Sequence, residues 1–223
     1  METDSTIRKK DFVEMKYTGY TINGMFDSNI EEDLKKIDEK AKPKQTIIIV
    51  GEGMIVEGLD KAIEGKIIGK EYEVKVPIKE GFGERKTDLV KTIPLKIFIE
   101  KKIMPRPGMV LAMDDSLAKV IAVSGARVVT DFNNPLAGKE LNYKFKIVRK
   151  VTEEKEKVDT VLGLLLRFVP EYVIDKEVTV KAPKILESYI NSIKDKFKEL
   201  VGKEIKFEEK KVEKKEKPVD KKD

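Results

Sequence analysis

The stretch from Lys16 to Ser28 constrains the fold more than any other part of the chain. Apolar and polar residues alternate from Phe12 into Tyr17 and on to Thr21, the period of a strand with one buried face. Asn23-Gly24 then supplies the positive φ values that a tight hairpin turn demands, and Phe26-Asp27-Ser28 opens the returning strand. Such a hairpin sets aromatic rings and one carboxylate on neighbouring strands. The chain has no His and no Cys to do acid-base or nucleophilic work beside them. This is the composition of a pocket that binds and reshapes a ligand, and it does not suit one that cuts or transfers.

What the chain lacks excludes whole classes of chemistry. Without Cys there are no disulfides, thiol reactions or zinc-thiolate sites, and without His the usual general base and commonest metal ligand are gone. No metal and no cofactor is therefore expected. The 223 residues leave room for one to three domains with at least one substantial core. Charged residues make up 39% of the chain, well above the usual quarter, yet Lys and Glu are both abundant and the net charge is only +5. No basic stripe interleaved with aromatics occurs, so nucleic-acid binding is not indicated. This charge-rich composition is common in cytosolic proteins of thermophiles. No leading apolar run resembles a signal peptide, and no window approaches the ~18 apolar residues of a membrane span. A soluble, cytoplasmic protein is the expectation.

Along the chain, the residues up to about 84 read as strands punctuated by glycine. Strands are predicted over Phe12–Thr21, Gln45–Val50 and Glu71–Val76, with a charged helical or loop segment over Ile30–Lys40 and a turn or two of helix over Leu59–Ile63. From Glu84 to Thr130 the texture changes. That segment has its own strands at Val110–Met113, Lys119–Val123 and Arg127–Thr130, with turns at Asp114-Asp115 and Ser124-Gly125. Glu140–Val151 then alternates again, with Leu141, Tyr143, Phe145 and Ile147 on one face. It suits the first sheet, so the middle segment is inserted rather than appended.

Beyond Val151, Thr152–Lys157 reads as a charged linker. Asp159 is placed to cap a helix from Val161 to Val169 that Pro170 stops. A short strand over Val178–Val180 follows. One helical face then carries Ile185, Leu186, Tyr189, Ile190, Ile193, Phe197 and Leu200 up to Gly202. Ile205 and Phe207 suggest a last strand, and from about 208 the Lys/Glu tail reads as disordered. The wide apolar circumference of the Val161–Val169 helix predicts burial against a partner surface, with a homodimer through this C-terminal part as one form of it.

Several motifs in order carry a family resemblance. They are Tyr17-Thr18-Gly19, Gly24 to Ser28, Ile55-Val56-Glu57-Gly58-Leu59-Asp60-Lys61-Ala62, Gly81-Phe82-Gly83, and Asn134 to Leu141 leading to Tyr143. Over about a hundred residues the chain resembles the FKBP family of peptidyl-prolyl isomerases. The insert after Gly81-Phe82-Gly83 is similar to that of long, SlyD-like members, which hold a chaperone domain in the flap. The C-terminal part resembles, less distinctively, the extra domain of larger archaeal forms.

The resemblance implies an α+β fold in three parts. Residues 1–84 and 131–152 would form an antiparallel sheet curled around one helix, 85–130 a small β-rich insert, and 153–223 a C-terminal α/β domain. It implies rotation of X-Pro bonds in unfolded or partly folded polypeptides, with no covalent or acid-base step. Uncatalysed rotation faces a barrier of roughly 18–20 kcal/mol from amide resonance. An apolar pocket disfavours the charge-separated planar amide relative to the twisted one, so the pocket can be the catalyst.

Site roles follow from the same resemblance. Tyr17, Asp27, Phe82 and Tyr143 would act on the bond, and Phe26, Ile55, Val56, Leu59 and Leu136 would bind the substrate. Leu59 takes the floor position where many eukaryotic members have tryptophan. Asp27 would accept the Tyr17 hydroxyl and face the rotating carbonyl. Phe82 stands where the family usually has tyrosine, which puts affinity for macrolide-type inhibitors in question. Met104, Met109, Leu111 and Met113 would offer a soft surface to unfolded chains. Seen alone, each inward aromatic could be core and Asp27 a turn carboxylate. Two other functions stay open at this point, a binding-only chaperone with a vestigial pocket and a ribosome- or RNA-associated folding factor.

Overall fold

The computed structural model describes residues 6–113 and 116–210 of the chain. Strand β1 (Phe12–Thr21) is the axis of the first sheet. Strand β2 (Gly24–Ser28) folds back along its second half. After the short helix α1 (Glu31–Ile37), strand β3 (Thr46–Ile49) pairs with its first half. Helix α2 (Glu57–Ile63) crosses to β4 (Glu71–Val76). The chain then leaves this sheet and forms β5 (Val90–Pro94), helix α3 (Leu95–Glu100), β6 (Val110–Met113), β7 (Ser116–Ser124) and β8 (Arg127–Asp131). These make a separate antiparallel sheet in the order β5-β8-β7-β6. Strand β9 (Leu141–Lys150) returns to the first sheet and lies between β1 and β4. The strands from β5 to β8 are thus a topological insertion, as the alternation over Glu140–Val151 predicted.

Period-two patterning explains the curl of the first sheet around α2. Leu141, Tyr143, Phe145 and Ile147 of β9 are all buried, and with Val13 and Met15 of β1 they pack on Leu59 and Ile63 of α2. Each such side chain contributes roughly 1.5–3 kcal/mol when fully removed from water. The hairpin turn differs from expectation by one residue. Thr21 pairs with Gly24, so Ile22 and Asn23 form the tip and Gly24 follows it at φ 110°. The positive φ falls after the turn, and Ile22 is left 97% exposed at its tip.

The C-terminal part contains helix α4 (Glu154–Leu166), β10 (Glu171–Ile174), β11 (Val178–Ala182), α5 (Glu187–Ser192), α6 (Lys194–Val201) and β12 (Ile205–Glu209). Strands β11 and β12 are parallel, joined through α5 and α6, and β10 pairs antiparallel with β11. Several expectations are corrected here. The charged run at Thr152–Lys157 is mostly the first turn of α4, because Lys and Glu form helix readily once its apolar face is buried. Asp159 lies inside that helix and accepts the Tyr172 hydroxyl at 2.5 Å rather than capping it. The helix stops at Leu166, with Arg167 left-handed at φ 68°, three residues short of Pro170. Strand β10 was missed. The single helical face breaks at Ile193, leaving Ile185 87% and Tyr189 50% exposed. The tail from 211 and the Asp114-Asp115 turn lie outside the described residues.

The apolar surface of α4 is consumed within the chain. Val158, Val161, Leu162 and Leu166 share one core with Phe197 and Ile205, and also with Phe12, Ile49 and Val151 of the first sheet. Phe12 and Ile49 are the back-facing residues at that end of the sheet, opposite Val13 and Ile48. Arg149 of β9 fastens the joint. Its guanidinium donates to both Glu156 carboxylate oxygens at 2.9 and 2.6 Å and to Glu14 at 2.7 Å.

Candidate active site

The concave face of the first sheet gathers aromatic side chains at one end. On β1, Tyr17 and Gly19 point inward. Gly19 has no Cβ, and that lets the rings of Phe26 and Tyr143 close over it. A methyl group there would stand 2.6 Å from the Phe26 ring and 2.9 Å from the Tyr143 ring. Phe26 meets Tyr143 edge to face at 5.8 Å and 82°, and Tyr17 lies 6.2 Å from Tyr143. Ile55, Val56 and Leu136 complete the cluster as half-buried side chains over the buried Leu59. Eight predicted residues are therefore brought together, counting Asp27.

Asp27 is exposed, on the rim of this cluster, and accepts the Tyr17 hydroxyl at 2.8 Å. Burial lifts the Tyr17 phenol well above its ordinary range, and the hydrogen bond to Asp27 and its negative charge add to the effect. Burial, with a smaller contribution from Asp27, pushes Tyr143 up to about 12. Both phenols stay protonated near neutrality, so this end of the sheet offers rings, hydroxyl donors and the Asp27 side chain. Among the described residues no group of carboxylates is arranged to hold a metal ion.

Two polar side chains outside the predicted set support this cluster. Asn29 accepts from the Tyr17 amide and donates to the Met15 carbonyl and the Thr46 hydroxyl, tying the end of β2 to β1 and β3 beside Asp27. Asp60, 8% exposed on α2, accepts the amides of Gly51 and Gly53 at 2.8 and 3.1 Å and so shapes the loop before Ile55. Its signal was available in retrospect: two glycines shortly before an acidic residue in the first turn of a helix.

Comparison with known proteins shows the family of the chain. The family model for FKBP-type peptidyl-prolyl cis-trans isomerase matches residues 3–98, and the model described as FKBP26, IF domain, matches residues 91–136. A short-type peptidyl-prolyl cis-trans isomerase of Methanocaldococcus jannaschii is 35% identical over 144 residues, 63% of this chain and 92% of that one. The chain belongs to the FKBP-type peptidyl-prolyl cis-trans isomerases. The SlyD isomerases of Yersinia pestis and Escherichia coli K12 are 31% and 29% identical over 129 residues, each match covering 56% of this chain and 66% of theirs.

Within this FKBP, Phe82 is the predicted site residue that stands apart. It is 37% exposed in the Gly81–Gly83 corner and does not join the packed rings. The expected soft surface on the insert also divides. Met109, Leu111 and Met113 are half-buried against Phe98, Val120 and Val128, so they belong to the small core of the insert, whereas Met104 is 72% exposed. The opposite face of the same strands exposes Val110, Leu117 and Ile121 instead. A separate groove of about 570 Å³ lies on the back of the first sheet, but Lys16, Asp33, Glu71, Glu73, Lys144 and Lys146 give it mixed charge. No described helix is long and apolar enough to cross a membrane.

Proposed function

We propose that this isomerase turns over X-Pro bonds in the cluster between Tyr17, Phe26, Ile55, Val56, Leu59 and Tyr143, and that its insert holds the polypeptide bearing them. The proline ring would sit on Leu59 between the aromatic walls. Leu136 would close it from above and Phe82 would contact the flanking chain at the mouth. Asp27, steadied by Tyr17, would face the carbonyl as it rotates. No bond is cleaved, so rate comes from favouring the less polar twisted amide in an apolar site.

One observation carries the holding role. A cleft of about 420 Å³ separates the β6–β7 face from the turn after β8, lined by the exposed Val110, Leu117 and Ile121 and by Pro135 and Ala137. The neighbouring Leu136 packs on the prolyl cluster. A chain lying in the cleft would present its prolines at high local concentration to the pocket. The test is the double substitution Leu117→Asp with Ile121→Asp. Turnover of a short X-Pro peptide is expected to stay as in the parent while catalysed refolding of a proline-limited protein slows. Equal effects on both substrates would refute the holding role.

A homodimer through the C-terminal part is a second reading. It is favoured by Phe168, Val169, Ile185 and Tyr189, which leave apolar surface open near the end of α4, where the Tyr189 hydroxyl donates to the Leu165 carbonyl. Sedimentation of an Ile185→Lys variant beside the parent tests it, and identical monomeric behaviour of both would end it.

A further inference from the structure

The wall residues Ile55 and Val56 hang from a loop with little rigidity of its own. Gly51 and Gly53 both take positive φ, at 84° and 67°, and neither contributes a side chain to pack. From inside, Asp60 grips the two glycine amides. Met54 also anchors the loop: its sulfur accepts the Ile49 amide at 3.2 Å, and its side chain packs on both large hydrophobic cores.

From outside, the grip comes from the C-terminal part. Lys196 of α6 places its ammonium 3.0 and 2.9 Å from the two carboxylate oxygens of Glu52, the residue between the two glycines. The Glu52 side chain is only 14% exposed and that of Lys196 39%, so the pair is half removed from water. Lys196 also reaches Glu199 at 3.2 Å, and Glu199 in turn meets Lys10 at 2.6 Å. The Lys10 amide donates to the Val50 carbonyl at the foot of the same loop. Charges alternate along Glu52, Lys196, Glu199 and Lys10, so each member is held by an opposite neighbour. This chain of contacts leads from α6 to the loop and ends three residues before the first pocket wall.

We infer that Lys196 is a positioning residue for the prolyl pocket, through which the C-terminal part sets the placement of Ile55 and Val56. The inference rests on the assignment of those two residues to the pocket. Lys196 touches no substrate. It acts by removing alternative conformations of a glycine-flanked loop, so that the wall stands ready when proline enters. An isomerase whose catalysis is shape alone is sensitive to this kind of restraint, because a displaced wall costs transition-state fit directly.

The test uses the full chain and a short X-Pro peptide. Lys196→Met keeps the stem and removes the charge, and is expected to lower kcat/KM about fivefold. The swapped pair Glu52→Lys with Lys196→Glu, made together with Glu199→Gln so that the new carboxylate meets no like charge, is expected to restore most of it, which a merely destabilising change at either position would not. Lys198→Met is the control, because Lys198 pairs with Glu204 inside the C-terminal part and should leave turnover unchanged. Val56→Ala reports on the pocket itself. If Val56→Ala lowers turnover while Lys196→Met does not, or if the swapped pair stays as slow as Lys196→Met, the positioning role is wrong. If Val56→Ala also turns over like the parent, the pocket assignment fails with it.

Discussion

Gly19→Ala isolates what the close approach of rings to β1 is worth. The backbone at Gly19 lies outside the positive-φ region, so alanine fits the strand and the whole effect is steric. The new methyl would sit 2.6 Å from Phe26 and 2.9 Å from Tyr143, well inside the 3.4 Å at which ordinary contact begins. Tyr143, 5% exposed, is wedged in the core and cannot retreat, whereas Phe26 is half-buried and can swing outward. Overpacking of this kind costs about 1–3 kcal/mol. Losing the edge-to-face pair adds about 0.5–1.5 kcal/mol. For a chain of this length that predicts a midpoint lowered by roughly 5–10 °C. Turnover should fall further than stability alone explains, by about tenfold or more, since the displaced ring would be a wall of the proposed pocket. Thermal denaturation and a short-peptide isomerisation assay measure the two. Ile147→Val, fully buried but away from the rings, is the control, expected to cost about 0.5–1.5 kcal/mol with parental turnover. A Gly19→Ala protein with parental midpoint and parental turnover would refute both the packing and the pocket.

Three further outcomes are expected. Asp27→Ala should lower kcat/KM roughly three- to tenfold, the worth of about one hydrogen bond, and leave a rate far above background in a peptide assay. Tyr143 titrates near 12 and Tyr17 is raised as well, while unfolded phenols titrate near 10. The folded state therefore holds protons that the unfolded state loses, and stability present below pH 10 should decline between pH 10 and about 12. Denaturation at stepped pH should show that decline, and it should be shallower in the Tyr17→Phe, Tyr143→Phe double variant. A chain ending at residue 152 would expose Phe12, Ile49 and Val151, each worth roughly 1.5–3 kcal/mol when buried, so its melting midpoint should fall clearly below that of the full chain.

The ease of reading differed between the two ends of the chain for physical reasons. In β1 and β9 one face is core and the other is largely solvent, so burial and period coincide and both strands were predicted to within a residue or two. The ring cluster was legible through the family resemblance, while alternation alone placed Tyr17 and Tyr143 at inward strand positions. The C-terminal part obeys a different rule. Its helix α4 is buried on two sides, against its own sheet and against Phe12 and Ile49, so its apolar residues lose the single-face signature and blur both ends of the helix. Phe12 itself was ambiguous, since nothing local tells that the back of β1 is covered at one end. Asn29, Glu52 and Lys196 were invisible for the same reason. Their roles exist only through partners at least a dozen residues away in sequence.

A prolyl site of the proposed kind would be tuned chiefly through its shape, and the attachments of this molecule fall at its border. The insert enters and leaves through two segments clasped to each other. Arg85 pairs with Asp131, Asn133 exchanges two hydrogen bonds with the Lys86 backbone, and the Gly138 amide donates to the Gly83 carbonyl. Those segments carry Phe82 at one side and Leu136 at the other. The C-terminal part reaches the opposite border through Glu52, beside Ile55 and Val56. Leu59 and the rings between them rest on α2 and the sheet, which the C-terminal part meets at its other end, through Phe12, Ile49 and Arg149. The floor of the pocket would thus be fixed by the common core, while its rim is held by the two appendages. Substitutions that loosen either attachment should then change turnover through Phe82, Leu136, Ile55 and Val56, and leave the packing of Tyr17, Phe26 and Tyr143 as it is.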